Sequence, residues 1–336
     1  MGSRFLEALL FAVSSLALYS FGIGRMLFLV PLQVLAVRRG LSGLAAAGAL
    51  GVLGLAAMRL AELLPGPLAA GDLLPAGAEL AVFLLLAAAL AAVNLSWGRA
   101  RTLVRLLAAS IAVCAAGAPL VAALAASPEV RTVVDGVFAE TSVMLRSVFT
   151  TGDSVAGTVL ETLLVPATLK AVVRESLLSG FVPAVFAFLA FSWWAGSAAG
   201  RRAVPAGRPS RPWRFAAFRL ESGWLWPLIV SLALVLAVAL FADAASAPAW
   251  LAYVSYPAWN AALLLLFLFG LQGMAILRFL LEKRGIARFL WPLLVAAVAA
   301  ALATPRLNLA AALVLPLFGA SENWVRYRHD GGAAPA

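Results

Sequence analysis

Apolar segments of nearly twenty residues recur along this chain and limit it to a narrow set of folds. An α-helix needs about 20 apolar residues to cross the hydrocarbon core of a bilayer. The segments that approach this length are 5–22, 41–60, 79–97, 103–125, 178–198, 224–243, 257–281 and 288–304, with shorter ones at 26–37 and 307–320. The composition agrees, because 64% of the residues are hydrophobic and 12% are charged, whereas soluble domains are about half apolar and a quarter charged. The sequence therefore predicts an all-α fold, a polytopic transmembrane helical bundle with about eight full spans plus two short apolar segments.

The first two apolar segments are expected to be separate crossings. A single helix over 5–37 would be about 50 Å long, which is too long for one crossing. The sequence FGIG at 21–24 offers a place to break it. The basic start and apolar stretch resemble a signal peptide, but no A-x-A-like cleavage site follows. We therefore expect the first segment to be a retained span.

The distribution of basic residues predicts the orientation in the membrane. With the amino terminus inside and ten crossings, 18 of the 25 basic residues fall on the inside, as the positive-inside rule requires. The preference for Arg over Lys and the alanine content indicate a high-GC bacterium. We therefore expect a multi-pass protein of the bacterial cytoplasmic (inner) membrane with both termini cytoplasmic.

The spans divide the chain into six predicted regions. These are N-terminal transmembrane helices (1–125), an extracytoplasmic amphipathic helical hairpin (126–177), a transmembrane helix (178–199), a basic cytoplasmic loop (200–222), C-terminal transmembrane helices (223–325) and a disordered tail (326–336). The hairpin is predicted because apolar residues recur at helical spacing from Val130 to Phe138. Ser127 and Pro128 before them are typical of a cap and a first helical turn.

A basic stretch at 201–219, RRAVPAGRPSRPWRFAAFR, raises the question of nucleic-acid binding because it has six arginines and no acid. Its prolines prevent a continuous helix, and its aromatic residues suit a membrane interface. As the largest cytoplasmic loop it is predicted to contact anionic lipid of the bilayer and not nucleic acid. The arginines that we assign to lipid contact are Arg208, Arg211, Arg214 and Arg219.

Sequence motifs for several kinds of catalysis are missing from the chain. It has no G-x-x-x-x-G-K-[ST], no H-E-x-x-H and no G-x-S-x-G, which are the patterns of P-loop nucleotide binding, zinc hydrolases and serine hydrolases. No two apolar segments each carry a central acid. The single cysteine, Cys114, cannot form an intramolecular disulfide. We therefore expect no enzymatic activity and no cofactor or metal.

A sparse set of amide side chains lies in apolar surroundings: Gln33, Asn94, Asn260, Gln272 and Asn308. An unpaired amide in lipid costs several kcal/mol, so each should face protein, water or a ligand. Of these, Gln33, Asn260 and Gln272 are the candidate ligand-binding residues. The alternative is hydrogen bonding between helices, worth about 0.6 kcal/mol on average in membranes.

The stretch LQGMAILRFLLEKRG at 271–285 resembles the YybS-like family of bacterial membrane proteins, a group described as a domain of unknown function. Three further stretches fit the same family in order: VPLQVLAVRRGLSG at 30–43, WRFAAFRLESGWLWPLI at 213–229 and LVLPLFGASENWVRYR at 313–328. The family is distantly similar to the substrate-binding S components of energy-coupling-factor transporters and to MreD-like proteins of the cell-shape machinery. The resemblance implies a partner subunit against small residues of the first span, which here are Ala8 and Ala12.

Two functions follow as hypotheses. The first is a small-molecule binding or transport subunit with an outward-facing pocket lined by Asn260 and Gln272, covered by 126–177 and energised by a separate ATPase subunit. The second is a non-transport membrane scaffold of the cell envelope or cell-shape machinery. A pocket with converging polar groups would favour the first, and a bundle packed solid by Ala, Leu and Gly would favour the second.

Overall fold

The computed structural model describes residues 2–64, 70–95, 101–149, 162–202, 214–241, 250–304, 307–325 and 327–328. These residues form α-helices and a few short 3-10 turns, and they contain no β-strand. The helices are α1 (Gly2–Ser20), α2 (Leu29–Arg39), α3 (Leu41–Leu63), α4 (Ala70–Asn94), α5 (Thr102–Ala126), α6 (Pro128–Phe149), α7 (Pro166–Arg202), α8 (Leu225–Phe241), α9 (Trp250–Lys283), α10 (Ala287–Ala303) and α11 (Asn308–Ser321).

Six helices among the described residues are long and apolar enough to cross a membrane. They lie at Leu41–Leu63, Leu73–Asn94, Thr102–Ala126, Pro166–Arg202, Ser222–Phe241 and Tyr253–Lys283. Two further apolar helices, α10 and α11, are shorter. The all-helical fold predicted from the apolar segments is therefore confirmed among the described residues, and it is consistent with an integral membrane protein.

The break predicted after the first span is present. Helix α1 ends at Ser20, and a 3-10 turn at Ile23–Met26 leads into α2. In this turn Arg25 donates from Nε to the carbonyl of Tyr19, 3.0 Å away. Ser15 on α1 donates to the carbonyl of Phe28 just before α2, at 2.7 Å. Side-chain bonds to two backbone carbonyls therefore hold the break at 21–28. One of them, the carbonyl of Tyr19, lies in the last turn of α1, where carbonyls lack partners within the helix.

Helix α6 begins as the sequence predicts. The hydroxyl of Ser127 accepts the N–H of Val130 at 3.4 Å and donates to the carboxylate of Glu129 at 2.6 Å. This hydrogen bond lowers the pKa of the Glu129 carboxyl below its usual value. Ser127 therefore caps the helix, and Pro128 occupies its first turn, where a missing N–H costs nothing.

Helix α7 differs from the expected arrangement at 126–177. The second helix of the hairpin was expected to be separate from the span at 178–198, but both belong to one 37-residue helix. Gly180 and Pro183 lie inside it without ending it. The start is at Pro166, a residue that suits the first turn. Residues 150–161, where the hairpin turn was predicted, lie outside the described residues.

The helices fall into two compact units. The first comprises Met1–Leu177 and Ala184–Gly207. In it α1 packs on α2 and α3, and α4 packs on α3 and α5. Its centre holds a cluster of aromatic rings, in which Phe28 lies 5.0 Å from both Tyr19 and Phe83 and 5.9 Å from Phe188 between ring centroids.

The second unit comprises Leu178–Pro183 and Arg208–Ala336. It is organised around α9, which packs on α8 and most extensively on α11. Leu268, Phe269, Ala275 and Ile276 of α9 are completely buried. The unit boundary falls within α7.

Candidate functional site

Gln33 lies in a closed hydrogen-bond cluster of the first unit. Its Nε2 donates to Asn94 Oδ1 at 3.1 Å and to Ser197 Oγ at 3.0 Å. In return Asn94 Nδ2 donates to Gln33 Oε1 at 2.7 Å and to the carbonyl of Leu90 at 2.8 Å. Both polar atoms of the buried Gln33 amide are therefore bonded, and the cluster joins α2, α4 and α7.

Small residues of α7 make room for this cluster. A Cβ on Gly196 would collide with the side chain of Gln33 and with the carbonyl of Val30. One turn further, a Cβ on Gly200 would lie 2.8 Å from Cβ of Val37. Helix α7 therefore approaches α2 along a glycine face, as small residues permit in membrane helix pairs.

Asn260 on α9 binds the backbone of α7 in the second unit. Its Oδ1 accepts the N–H of Val182 at 2.9 Å, and its Nδ2 donates to the carbonyls of Leu178 at 2.6 Å and Tyr256 at 2.8 Å. A regular helix pairs the N–H of residue 182 with the carbonyl of residue 178. The Asn260 amide therefore bridges one turn of α7, just before Pro183, which has no N–H to donate.

Gln272 is the centre of a buried polar cluster of the second unit. Its Oε1 accepts the N–H of Leu220 at 2.9 Å. Its Nε2 donates to the carbonyl of Gly319 at 3.0 Å and to Glu322 Oε2 at 2.8 Å. This side chain, 1% exposed, therefore joins α9, the end of α11 and the segment that precedes α8.

The same cluster contains a buried ion pair. Arg328 donates from Nη2 to Glu322 Oε2 at 2.8 Å and from Nη1 to the carbonyl of Ala216 at 2.7 Å. Glu322 is 3% exposed. The sequence predicts a disordered tail at 326–336, yet the Arg328 side chain is only 12% exposed and packs inside the second unit. We call Gln272, Glu322 and Arg328 the Gln272 cluster.

Glycines bring α9 and α11 close enough for the Gln272 cluster to form. A Cβ on Gly319 would overlap the carbonyl of Phe269, and one on Gly273 would overlap the carbonyl of Leu315. Backbone atoms cannot move aside as a flexible side chain can. The crossing of α9 and α11 therefore requires glycine at both positions.

Ala8 and Ala12, predicted to contact a partner helix, are 5% and 1% exposed. They lie on α1, which packs against α2 and α3 of the same chain. Their small size serves packing within the first unit, and contact with a partner helix at these alanines stays a prediction.

The structure describes only part of the predicted basic loop at 200–222. Arg208 and Arg211 lie outside the described residues. Arg214 and Arg219 are exposed at the two ends of a short segment whose middle, at Ala216, is buried and held by Arg328. Lipid contact by these arginines stays a prediction.

Charged residues of the first unit pair at two places along α1. Glu7 binds Arg38 Nη1 at 3.0 Å and Arg39 Nη2 at 2.6 Å. Near the other end of α1, Glu79 binds Arg59 Nε at 2.6 Å and Arg25 Nη2 at 3.6 Å. Tyr19 marks the position of the second group on α1, because the Arg25 guanidinium lies 5.4 Å from the centroid of its ring. Tyr19 is 12 residues after Glu7 in the helix, so the two ion-pair groups lie about 18 Å apart along α1.

The two hydrogen-bond clusters contain three polar residues that are not among the sequence-predicted site residues: Glu322, Arg328 and Ser197. Glu322 carried a signal, since it is an acid directly after an apolar helix with an arginine six residues later. Ser197 carried none, because its partner Gln33 is distant in the chain. No group of three metal-binding side chains is present among the described residues.

The three amides proposed as ligand-binding residues thus lie in two separate units and all bond to groups of this chain. Gln33 belongs to the first unit, and Asn260 and Gln272 belong to the second. Comparison with known proteins gives no match, whether to a protein family, a curated protein or a solved structure.

Proposed function

We propose that this chain is a non-enzymatic scaffold of the bacterial cytoplasmic membrane that holds other membrane proteins of the cell envelope. In this proposal about eight full spans and two short apolar segments cross or enter the bilayer, and both termini are cytoplasmic. The six long apolar helices support the membrane part of the proposal. The positive-inside distribution of arginines supports the orientation.

The observation that carries the scaffold proposal is the complete internal bonding of three amide side chains, of which Gln33 and Gln272 are buried and Asn260 is half-buried. A binding or transport subunit presents polar groups toward a cavity, where they orient a ligand. Here both polar atoms of Gln33, Asn260 and Gln272 bond to groups of the same chain. These amides therefore act as fixed links between helices, which suits a protein whose task is to present a stable surface.

Close helix packing supports the same conclusion. Gly51 faces the ring of Phe83, with a Cβ placed 2.9 Å from Cζ, and Gly196, Gly273 and Gly319 leave no room for a Cβ. Tight contacts of this kind are those of a bundle packed solid by small and aliphatic residues.

The competing hypothesis is the transport subunit that is energised by a separate ATPase. It rests on the resemblance to the YybS-like family, and membership of that family stays a prediction. The two hypotheses predict that different molecules stay bound to the protein when it is extracted from the membrane.

Native mass spectrometry of the gently extracted full chain tests the proposal. We expect a membrane protein of the envelope at a fixed ratio to the chain and no bound metabolite. Replacement of Gln272 by Met should lower the free energy of unfolding by about 1–3 kcal/mol, because Leu220 N–H and Glu322 lose a buried partner.

The matched control is Asn308→Ala, because Asn308 is exposed and accepts a hydrogen bond from the next residue in sequence, Leu309. A stoichiometric metabolite that is lost in Gln272→Met or Asn260→Ala, but kept in Asn308→Ala, would contradict the scaffold and establish a binding subunit.

A further inference from the structure

Three cations at the turn between α9 and α10 have no charge partner among the described residues. Helix α9 ends at Lys283, Gly285 turns the chain with φ of 71°, and α10 begins at Ala287. Lys283, Arg284 and Arg288 are exposed and form no ion pair within the described part of the chain. We call them the turn cations.

The nearby acid does not neutralise the turn cations. Glu282 is bound by Arg278, whose Nε lies 2.9 Å from Glu282 Oε1. The Arg278 guanidinium also lies over the ring of Trp291, 5.0 Å from its centroid. Arg278 and Glu282 thus compensate each other, and the turn keeps a net positive charge that favours an anion.

An open apolar groove runs from this turn between α9 and α10. Its volume is about 510 Å³, and its walls are leucines such as Leu277, Leu281, Leu290 and Leu294, with Ala297 at one end and Arg284 in the lining. Ala297 is seven residues beyond Leu290, so the groove extends about 10 Å along α10. An apolar groove whose lining includes a guanidinium can bind a molecule that has a hydrocarbon part and an anionic part.

The surroundings of the groove are those of a membrane interface. Phe289 on α10 is 76% exposed, and Leu293, which lines the groove, is 64% exposed. Exposed aromatic and aliphatic residues beside arginine and lysine are typical of helix ends at the headgroup level. Basic pockets between membrane helices bind the anionic headgroups of lipids.

We propose that the groove between α9 and α10 binds one anionic phospholipid of the bilayer. One acyl chain lies along the leucines of the two helices. The phosphate lies at Arg284, with Lys283 and Arg288 beside it. This site depends only on the protein's lying in a membrane, so it holds for a scaffold and for a transport subunit alike.

The experiment uses the full chain in nanodiscs of phosphatidylcholine with or without phosphatidylglycerol, followed by native mass spectrometry of lipid retained after release. We expect one retained phosphatidylglycerol for the wild-type chain. A basic residue near the surface contributes about 1 kcal/mol to such binding, so Arg284→Gln should weaken retention about fivefold. The variant with all three turn cations changed to Gln should weaken it on the order of a hundredfold.

A second pair of variants tests the groove itself. Ala297→Phe places a ring in the groove and should abolish retention, whereas Ala296→Phe, at an exposed neighbour outside the lining, should leave it unchanged. Arg174→Gln is the control for loss of one positive charge, since Arg174 is 69% exposed on the other unit. Thermal unfolding of each variant identifies any that has lost its fold.

Retention of phosphatidylglycerol by Ala297→Phe, with loss in Arg284→Gln, would overturn the proposal in favour of a surface site for anions. Displacement of the lipid by millimolar inorganic phosphate would do the same. Absence of retained phosphatidylglycerol from the wild-type chain would overturn it as well. None of these outcomes depends on whether a partner protein accompanies the chain, so the scaffold proposal is tested separately.

Discussion

Arg328 and Glu322 form an ion pair inside the second unit, with Nη2 and Oε2 2.8 Å apart and with side chains 12% and 3% exposed. Removing water from two charges costs several kcal/mol for each, and their attraction offsets this cost only when further hydrogen bonds complete the geometry. Gln272 and the carbonyl of Ala216 supply two such bonds, whereas the buried Nε of Arg328 has no partner among the described residues. The pair therefore depends on the helices that bring these groups together.

Loss of Arg328 should be strongly destabilising. Arg328→Ala leaves the Glu322 carboxylate buried without its cation, and we expect the free energy of unfolding to fall by about 3 kcal/mol. The double variant Glu322→Gln with Arg328→Ala should recover much of this loss, because no buried charge remains. Unfolding of the purified protein in detergent, followed by circular dichroism, measures both.

The exposed pair of Lys170 and Asp135 is the control, for which Lys170→Ala should cost less than about 1 kcal/mol. Equal effects at the two pairs would contradict the buried geometry.

Two glycines three residues apart on α9 should respond in opposite ways to alanine. Gly273→Ala forces a Cβ against the carbonyl of Leu315 and should destabilise the protein by about 1–3 kcal/mol. Gly270→Ala places its Cβ 3.7 Å from Cγ of Pro316, an ordinary contact, and should be neutral or stabilise by up to about 1 kcal/mol through helix propensity. Thermal unfolding of the two variants side by side checks this. A tolerated Gly273→Ala would mean that α9 and α11 do not cross at this distance.

Removal of one buried hydroxyl should stabilise the first unit. Ser192 on α7 is completely buried, and its Oγ has no hydrogen-bond partner among the described residues. An unsatisfied buried hydroxyl costs about 1–3 kcal/mol, so Ser192→Ala should raise the midpoint of thermal unfolding. Ser110→Ala is the comparison, because Ser110 is equally buried but donates to the carbonyl of Leu106 at 2.7 Å. A lower midpoint for Ser192→Ala would show that its hydroxyl is bonded.

Cysteine labelling should establish the orientation. In a Cys114→Ala background, we expect a membrane-impermeant maleimide to label Glu140→Cys on α6 in intact cells. Lys283→Cys, at the turn after α9, should be labelled only after the membrane is permeabilised. Both positions are exposed in the structure, so access to reagent depends on the side of the membrane. The reverse pattern would invert the proposed topology.

The helices were largely predictable because each apolar segment carries its own signal. The break at 21–24 and the cap at Ser127 were visible in a few neighbouring residues. The continuity of α7 could not be predicted from the sequence. An amphipathic stretch that continues into a span has the same sequence pattern as one that folds back from it.

The roles of the amides were not predictable from their neighbours in sequence. Gln33 finds one partner 61 residues away and another 164 residues away, and nothing local marks either. Arg328 lies in a polar stretch that is typical of a tail. Its burial follows from Glu322, which the end of α11 places beside Gln272.

The unequal lengths of the helices in the second unit have a consequence for the surrounding lipid. Helix α9 has 34 residues and is about 51 Å long, whereas its neighbour α11 has 14 residues and is about 21 Å long. The outer face of α11 is apolar, with Leu309 and Leu317 more than two thirds exposed. In the proposed topology α11 crosses the bilayer, so acyl chains beside it would have to shorten or tilt to match it, since a relaxed hydrocarbon layer is about 30 Å thick. The protein should therefore thin the bilayer locally beside α11 and accumulate where the bilayer is already thin or easily compressed.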